Sequence, residues 1–455
     1  MSTPRRPVFL FPLLMTCAWL TPEQRLDAAS LEVGPGKQFR RIEAAHDAAQ
    51  PGDVILIFPS TDNPPYAKTA VYVRKPRLTF RGVPGPGQRW VRISGQDFDY
   101  SGRGSTPRAI FQFNADTDHC TVEGLELSDA HNSSQNGAGV RISQANHVTI
   151  RNCSIHDNDM GVMSGGDGSL ERGVNQRFEH CEVHHNGNQA HAGYNHNFYL
   201  GGTSVTLRFC EIHHSLTGHN VKSRAHHTRV EYCYVHDSLN REFDLVDARD
   251  TTYPDSHAVL LGNIIAKDTA GRGNRTVIHF GQDGGQEHDG TLHLAFNTVV
   301  TPFIAPVVDL SASKARAQLI GNLVTDGGTR QAGQTVAACR DGAVSGNVQG
   351  THNWFSGGFG GPRDTKLDPA TNRFDRAEGP LFLDAAALSY HLRPDAARQA
   401  AVRLKVAQIA LPAVPGSSPA EIEPPLTWQY HHPLGKEPRP VESPLTRGAY
   451  AAAPE

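Results

Sequence analysis

The sequence carries almost no net charge, few aromatic residues and, beyond its first twenty positions, no long apolar run. Its 43 Lys and Arg stand against 46 Asp and Glu, leaving −3 over 455 residues. No global basic field recruits nucleic acid, and any affinity for a polyanion must come from a local patch. Aromatics make up only 7%, too few to pave a long groove with stacking platforms, so a purely adhesive glycan-binding surface ranks behind catalysis. No segment after position 20 is long and apolar enough to span a bilayer. Also missing is a repeat of constant length, which excludes helical repeats of fixed geometry.

What is present begins with Arg5 and Arg6, then an apolar core from Val8 to Leu20. It is too short for a membrane span and reads as an export signal over 1–29, which implies a secreted or periplasmic protein. Seven cysteines include Cys17 inside that segment. The remaining six invite a disulfide reading, but Cys153, Cys181, Cys210 and Cys233 fall on one repeated position. Buried thiols packing as small hydrophobes are the better expectation.

The repeated unit is x-Cys-x-(Ile/Val)-His-(Asp/His). Its column runs from Leu125 through Cys153, Cys181, Cys210 and Cys233 to Asn263, Asn297, Asn322 and Asn347, in steps of 23 to 34 residues. The segments alternate with period two, are rich in Val, Ile, Phe and Thr, and are bounded by Gly, Asn and Asp, as half-buried strands are. Variable steps suit short strands joined by loops of different length. Stacked in register at about 4.8 Å, they would form a Cys ladder and then an Asn ladder that satisfies its own amides. Residues 109–350 are expected to form about nine such coils. Phe39, Ile42, Ala45, His46 and Ala49 have helical spacing and would cap the first coil. After 350 the pattern fades into 351–455, with a possible helix over 396–410 and a Pro-rich stretch over 412–444 that should lie on the surface.

On these residues the chain resembles the pectate-lyase-like superfamily. The resemblance implies an all-β fold, a right-handed single-stranded parallel β-helix over 30–350, with an N-terminal capping helix and an irregular C-terminal tail packed on it.

Chemistry concentrates between 195 and 247. With Val140, Val162, Phe198, Val221, Phe243 and Val277 inward, the outward neighbours are Arg141, Met163, Tyr199, Lys222, Asp244 and either Ile278 or His279. One position earlier come Asn197, Asn220 and Glu242, read as a second outward row, with His196, His219 and Arg224 nearby. Any single one of these suits a solvated face with a Lys222–Asp244 ion pair of little worth. Together they suit β-elimination on a uronate polysaccharide. That reaction needs a base beside the carboxylate-bearing carbon, cations on the carboxylate, and an acid for the leaving oxygen.

The expected catalytic set is Lys222, Tyr199, Arg224 and His219. The expected substrate contacts are Asn197, Asn220, Glu242, Asp244, His196 and Arg141. Lys222-Ser223 also resembles the Lys-Ser of the alginate lyase and chondroitinase B group, in which the lysine is the base. Here the coil after Lys222 carries Glu242 and Asp244 where that group places an arginine, and a carboxylate beside Lys222 would keep it charged. On that ground Tyr199 is the alternative proton carrier.

A hydrolase competes through Glu242 and Asp244, roughly 6.5–7 Å apart along one strand. The aspartate trio with Asn-Thr-Asp carried by β-helix hydrolases of pectin is missing. The sequence identifies no cofactor and leaves calcium open, with the polar loop Asp283, Glu287, His288 and Asp289 as one place for it. The pairs His184-His185 and His213-His214, with His156 and His236, look metal-like, but a turn ladder explains them. The expected partner is an anionic polysaccharide and the expected state a monomer.

Overall fold

The computed structural model describes residues 28–452 apart from 105, 249–252, 271–272, 284–286, 330–331, 360–364, 422 and 442. The export signal expected over 1–29, with Cys17, lies outside the described residues except for its last two positions.

Short strands with alternating side chains cannot bury their apolar faces alone, so each coil uses the next as its partner. The chain passes in turn through three parallel sheets, one of thirteen strands and two of ten. One coil, for instance, runs Gln176–Glu179, Glu182–His184 and Phe198–Leu200, one strand in each sheet. The result is the right-handed parallel β-helix that the resemblance implied. From Ala109–Phe113 to Thr335–Arg340, nine strands follow one another in the sheet that carries the polar column. The helix Ile42–Ala48 covers the first coil with Ile42 and Ala45.

Inside, Phe178, Val183, Phe198, Val221 and Phe243 have no exposed surface. The register is Phe198 opposite Val221, Val221 opposite Phe243, and Phe243 opposite Ile278. Cys153, Cys181, Cys210 and Cys233 stack at one inward corner, fully buried and unbridged. The residue before each is left-handed, at φ between 50 and 56° for Asn152, His180, Phe209 and Tyr232. That conformation is uncommon outside glycine, and it recurs because the corner must turn the following side chain into the core.

The column then becomes an Asn ladder. Asn263 donates to Asn297 at 2.9 Å, Asn297 to Asn322 at 3.1 Å, and Asn322 to Asn353 at 2.8 Å. Its last rungs are Asn353 and Asn372, not Asn347, which instead donates to the Ala315 carbonyl at 2.8 Å. Asn347 precedes a strand of the thirteen-stranded sheet, Val348–Thr351, so the sequence alignment took the wrong strand of that coil.

Residues after 365 lie along the solenoid. Val402, Ile409, Leu426 and Leu445 pack on Phe209, Tyr232, Leu261 and Phe296, and the Leu426 N–H donates to the Tyr232 hydroxyl at 3.0 Å. Glu421 and Glu423 pair with Arg177 and Arg208. The helix here is Pro394–Ala400, shorter than the periodicity suggested. The Pro-rich stretch holds an antiparallel hairpin, Trp428–His431 with Gly435–Pro438. No helix among the described residues is long and apolar enough to cross a membrane.

Candidate active site

Parallel pairing places one outward side chain per coil in a continuous row. Successive partners are Arg141, Met163, Tyr199, Lys222, Asp244, His279 and Asp309. Neighbouring members sit about 4.8 Å apart along the row. The alternative between Ile278 and His279 resolves to His279, because Ile278 rather than Val277 pairs with the inward Phe243 on the neighbouring strand.

Lys222 is the hub of the row. Its ammonium donates to Asp244 at 2.7 Å and to Asp283 at 2.8 Å. Arg224 donates to the same Asp283 oxygen at 2.6 Å. Burial would lower the Lys222 pKa, but Asp244 and Asp283 raise it above the usual lysine range. Lys222 is therefore a fixed cation, and the expectation that it serves as the base does not fit its surroundings. Nor is it the exposed residue expected from its outward place, at only 8% exposure.

Asp244 gathers the basic side chains of the site. Besides Lys222 it meets Arg241 at 3.2 Å, His279 Nδ1 at 2.8 Å and His219 Nε2 at 3.4 Å. Burial pushes its pKa up, yet His219, His279 and Lys222 together hold it well below the usual carboxylate range. His219 is almost wholly buried. Burial first, then Lys222 and Arg241, bring its pKa to about 4 against the pull of Asp244, so its ring is neutral at neutral pH.

His196 is held well below the imidazole range by burial and by His219 and Lys222. Its Nδ1 accepts the His219 backbone N–H at 3.0 Å, which leaves the other nitrogen to carry the proton. The His196 ring lies flat against Tyr199 (centroids 5.5 Å, planes 15° apart) and against His219 (5.1 Å, 11°). The Arg224 guanidinium covers the Tyr199 ring at 5.6 Å. Tyr199 is thus clamped between an imidazole and a cation, one strand from Lys222.

Three expected substrate contacts are not in the groove. Asn197, Asn220 and Glu242 have no exposed surface. Each follows a corner that turns its side chain inward, where Asn186 donates to Asn197 at 2.9 Å, Asn197 to Asn220 at 2.8 Å, and Asn220 to Glu242 at 2.5 Å. Lys267 closes this ladder at 3.3 Å from Glu242. Read as outward by simple alternation, they are instead a second, buried polar stack. Arg141 does face the row. Its guanidinium contacts Met163 Sδ at 3.3 Å and has no ion-pair partner among the described residues.

Alternation also missed the support behind Asp244. Arg340 donates to His279 Nε2 at 2.9 Å and to Asp309 at 3.0 Å. The Ser311 hydroxyl lies 2.8 Å from the same His279 nitrogen and accepts the Gln282 N–H at 2.9 Å. A polar His inside the run Val277-Ile278-His279-Phe280 was the one signal available. The site carboxylates do not form a calcium cage, since Asp244, Asp283 and Asp309 are each already bound to lysine or arginine.

A parallel β-helix with a charged row along one sheet is the class of protein that this architecture defines. No family model and no curated protein matches the sequence. Among solved structures, the chain is similar to pectate lyase Pel9A at 12% identity and a TM-score of 0.47, over 93% of this chain and 96% of that one. It is also similar to the pectin methylesterase from carrot at 11% identity and a TM-score of 0.36, over 74% and 88%. The strand pairing, not these distant likenesses, establishes the fold.

Proposed function

We propose that the protein is an exported lyase that cleaves a uronate-containing polysaccharide by β-elimination. The observation that carries this reading is the fork of Lys222 and Arg224 closed on the Asp283 carboxylate. Two cations converging on one carboxylate oxygen form a ready receptor for the carboxylate of a uronate, which would take the place of Asp283. Held there, the substrate carboxylate is neutralised by two fixed charges. The proton on the adjacent carbon becomes more acidic, and the charge developing in the transition state is stabilised.

Tyr199, one strand from Lys222, is the proton carrier in this reading, with His196 and His219 as neutral imidazoles beside it. The C–H bond breaks, its electrons form the new double bond, the glycosidic C–O bond breaks, and the leaving oxygen takes up a proton. Arg141, farther along the row, is suited to a carboxylate on another sugar of the same chain.

Two competing chemistries have specific support in the geometry. The first is glycoside hydrolysis through paired carboxylates, but Glu242 is sealed in the interior. Asp244 and Asp283 are both held below the usual carboxylate range, Asp244 by the groups named above and Asp283 by Lys222 and Arg224 against its partial burial. Neither supplies the protonated acid that a glycosidase needs. The second is the chain Asp244–His279–Ser311, which has the order of a nucleophilic triad. Ser311 has no exposed surface, so no substrate reaches its oxygen, and the chain braces Asp244 instead.

Incubating the protein with a panel of anionic polysaccharides and following ultraviolet absorbance from unsaturated uronate ends tests the proposal. New absorbing ends are expected. Reducing ends without absorbance would replace it with hydrolysis, and methanol release without chain cleavage would replace it with esterase action.

A further inference from the structure

Away from the charged row, the corner between the sheet carrying Glu182–His184 and the sheet carrying the site holds a second organised set of side chains. His156, His184, His213 and His236 stack on four successive coils with ring centroids 4.8–4.9 Å apart. The residues that follow them are Asp157, His185, His214 and Asp237, all left-handed at φ between 49 and 55°. That conformation folds each second side chain back toward the first. His156 Nδ1 lies 2.8 Å from Asp157, His184 Nδ1 2.7 Å from His185 Nδ1, His213 Nδ1 2.8 Å from His214 Nδ1, and His236 Nδ1 2.7 Å from Asp237.

We propose that His214, His236 and Asp237 bind a divalent first-row transition metal ion such as Zn²⁺. One donor atom from each lies within 4.8 Å of the other two, and two imidazoles with a carboxylate are a donor set that suits this class of metal. The ring orientations favour it, and binding would displace the proton that His236 Nδ1 directs at the Asp237 carboxylate, 2.7 Å away. The Nδ1 atom of His214 is engaged by His213, which leaves Nε2 directed at Asp237, 4.0 Å away. His236 has the complementary arrangement, with Nε2 facing the Glu211 carboxylate at 3.5 Å and Nδ1 facing Asp237. Each imidazole is thus oriented by a partner on its far nitrogen, the outer arrangement that metal-binding histidines need.

Coordination at about 2.0–2.2 Å requires the donors to draw together. The His214 side chain, 47% exposed, is the member that would move, while His236, 5% exposed, anchors the set. Solvent supplies the remaining ligand position. Because His214 belongs to one coil and His236 and Asp237 to the next, the ion would pin adjacent coils together and stabilise the fold by binding only the native state. Among the described residues, His214, His236 and Asp237 are the one set along this corner whose three donor atoms come within 4.8 Å of one another.

The test uses the full chain without a histidine tag, stripped with chelator and dialysed against Zn²⁺ alone. Wild type is expected to take up one zinc per chain at this corner and to melt at a higher temperature with zinc than without. His214→Ala removes a half-exposed ligand without disturbing the core. It should weaken uptake by more than the roughly 10–100-fold that loss of an outer partner costs, and it should abolish the zinc-dependent shift in melting. Asp237→Asn should act in the same direction, and His185→Ala should leave affinity and shift unchanged. A wild-type protein that takes up no zinc, or a His214→Ala protein that binds it as tightly as wild type, overturns the proposal.

Discussion

At the scale of single residues, the proposed reaction separates groups that bind from groups that move protons. Lys222 is buried between two aspartates, so Lys222→Ala should lose roughly 10²–10³ in turnover, as removal of a fixed charge-stabilising donor does. It should also be destabilised by about 1–3 kcal/mol, because Asp244 stays buried with one cation fewer. Steady-state kinetics and urea midpoints read both effects. Tyr199→Phe keeps the ring between His196 and Arg224 and removes only the hydroxyl. The expected result is a loss of about 10²–10⁴ in kcat with KM nearly unchanged. A variant that turns over at the wild-type rate would make Tyr199 a wall of the groove. Asp283→Ala should act in the opposite sense, since the native carboxylate competes with the substrate for the fork. KM should fall by up to about fivefold, the range for a half-exposed ion pair.

At the scale of the element, the two buried polar ladders explain why short strands stay in register. A one-residue slip would reverse every side chain and leave each ladder amide unpaired in the interior. Glu242 is the instructive member. Glu242→Gln leaves the buried Lys267 ammonium, 3.3 Å away, without its counter-charge, and stability should drop by about 3–5 kcal/mol. Turnover per folded molecule should stay near wild type. Denaturation midpoints combined with activity normalised to folded protein separate this outcome from a catalytic role, in which activity would collapse.

At the scale of the whole molecule, the histidines couple stability to acid. Burial, with the charged or imidazole neighbours of each, holds His219, His288 and His293 at about 4 and His227 at about 3. In the unfolded chain the same groups take up protons near pH 6.5. Between about pH 6.5 and 4 the unfolded state therefore binds more protons than the native state, and stability falls as pH falls. The depressed carboxyl of Asp244 adds a loss below about pH 4, where the unfolded chain protonates first. Urea midpoints measured at about pH 7.5, 5.5 and 4.5 should decline in that order, and a flat profile would mean that these rings protonate freely in the folded state. The tail adds to cohesion by covering Phe209, Tyr232 and Phe296.

The sequence by itself determined the coil. Period-two alternation and the recurring Cys, then Asn, position are enforced by burial, and burial leaves a mark at every repeat. It also determined that Tyr199, Lys222 and Asp244 share one outward row, because strand pairing converts equal places in successive repeats into neighbours. The sequence did not reveal where a strand ends and its corner begins. Asn197, Asn220 and Glu242 therefore read as groove residues although the corner turns them inward, and Asn347 was taken for a ladder rung that Asn353 occupies. Only the tertiary structure decided that Lys222 is a fixed cation, that Asp283 closes the Arg224 fork, and that His279, Asp309 and Arg340 support the site. Those properties arise from charges brought together across loops of unequal length, and electrostatic environment has no period to read.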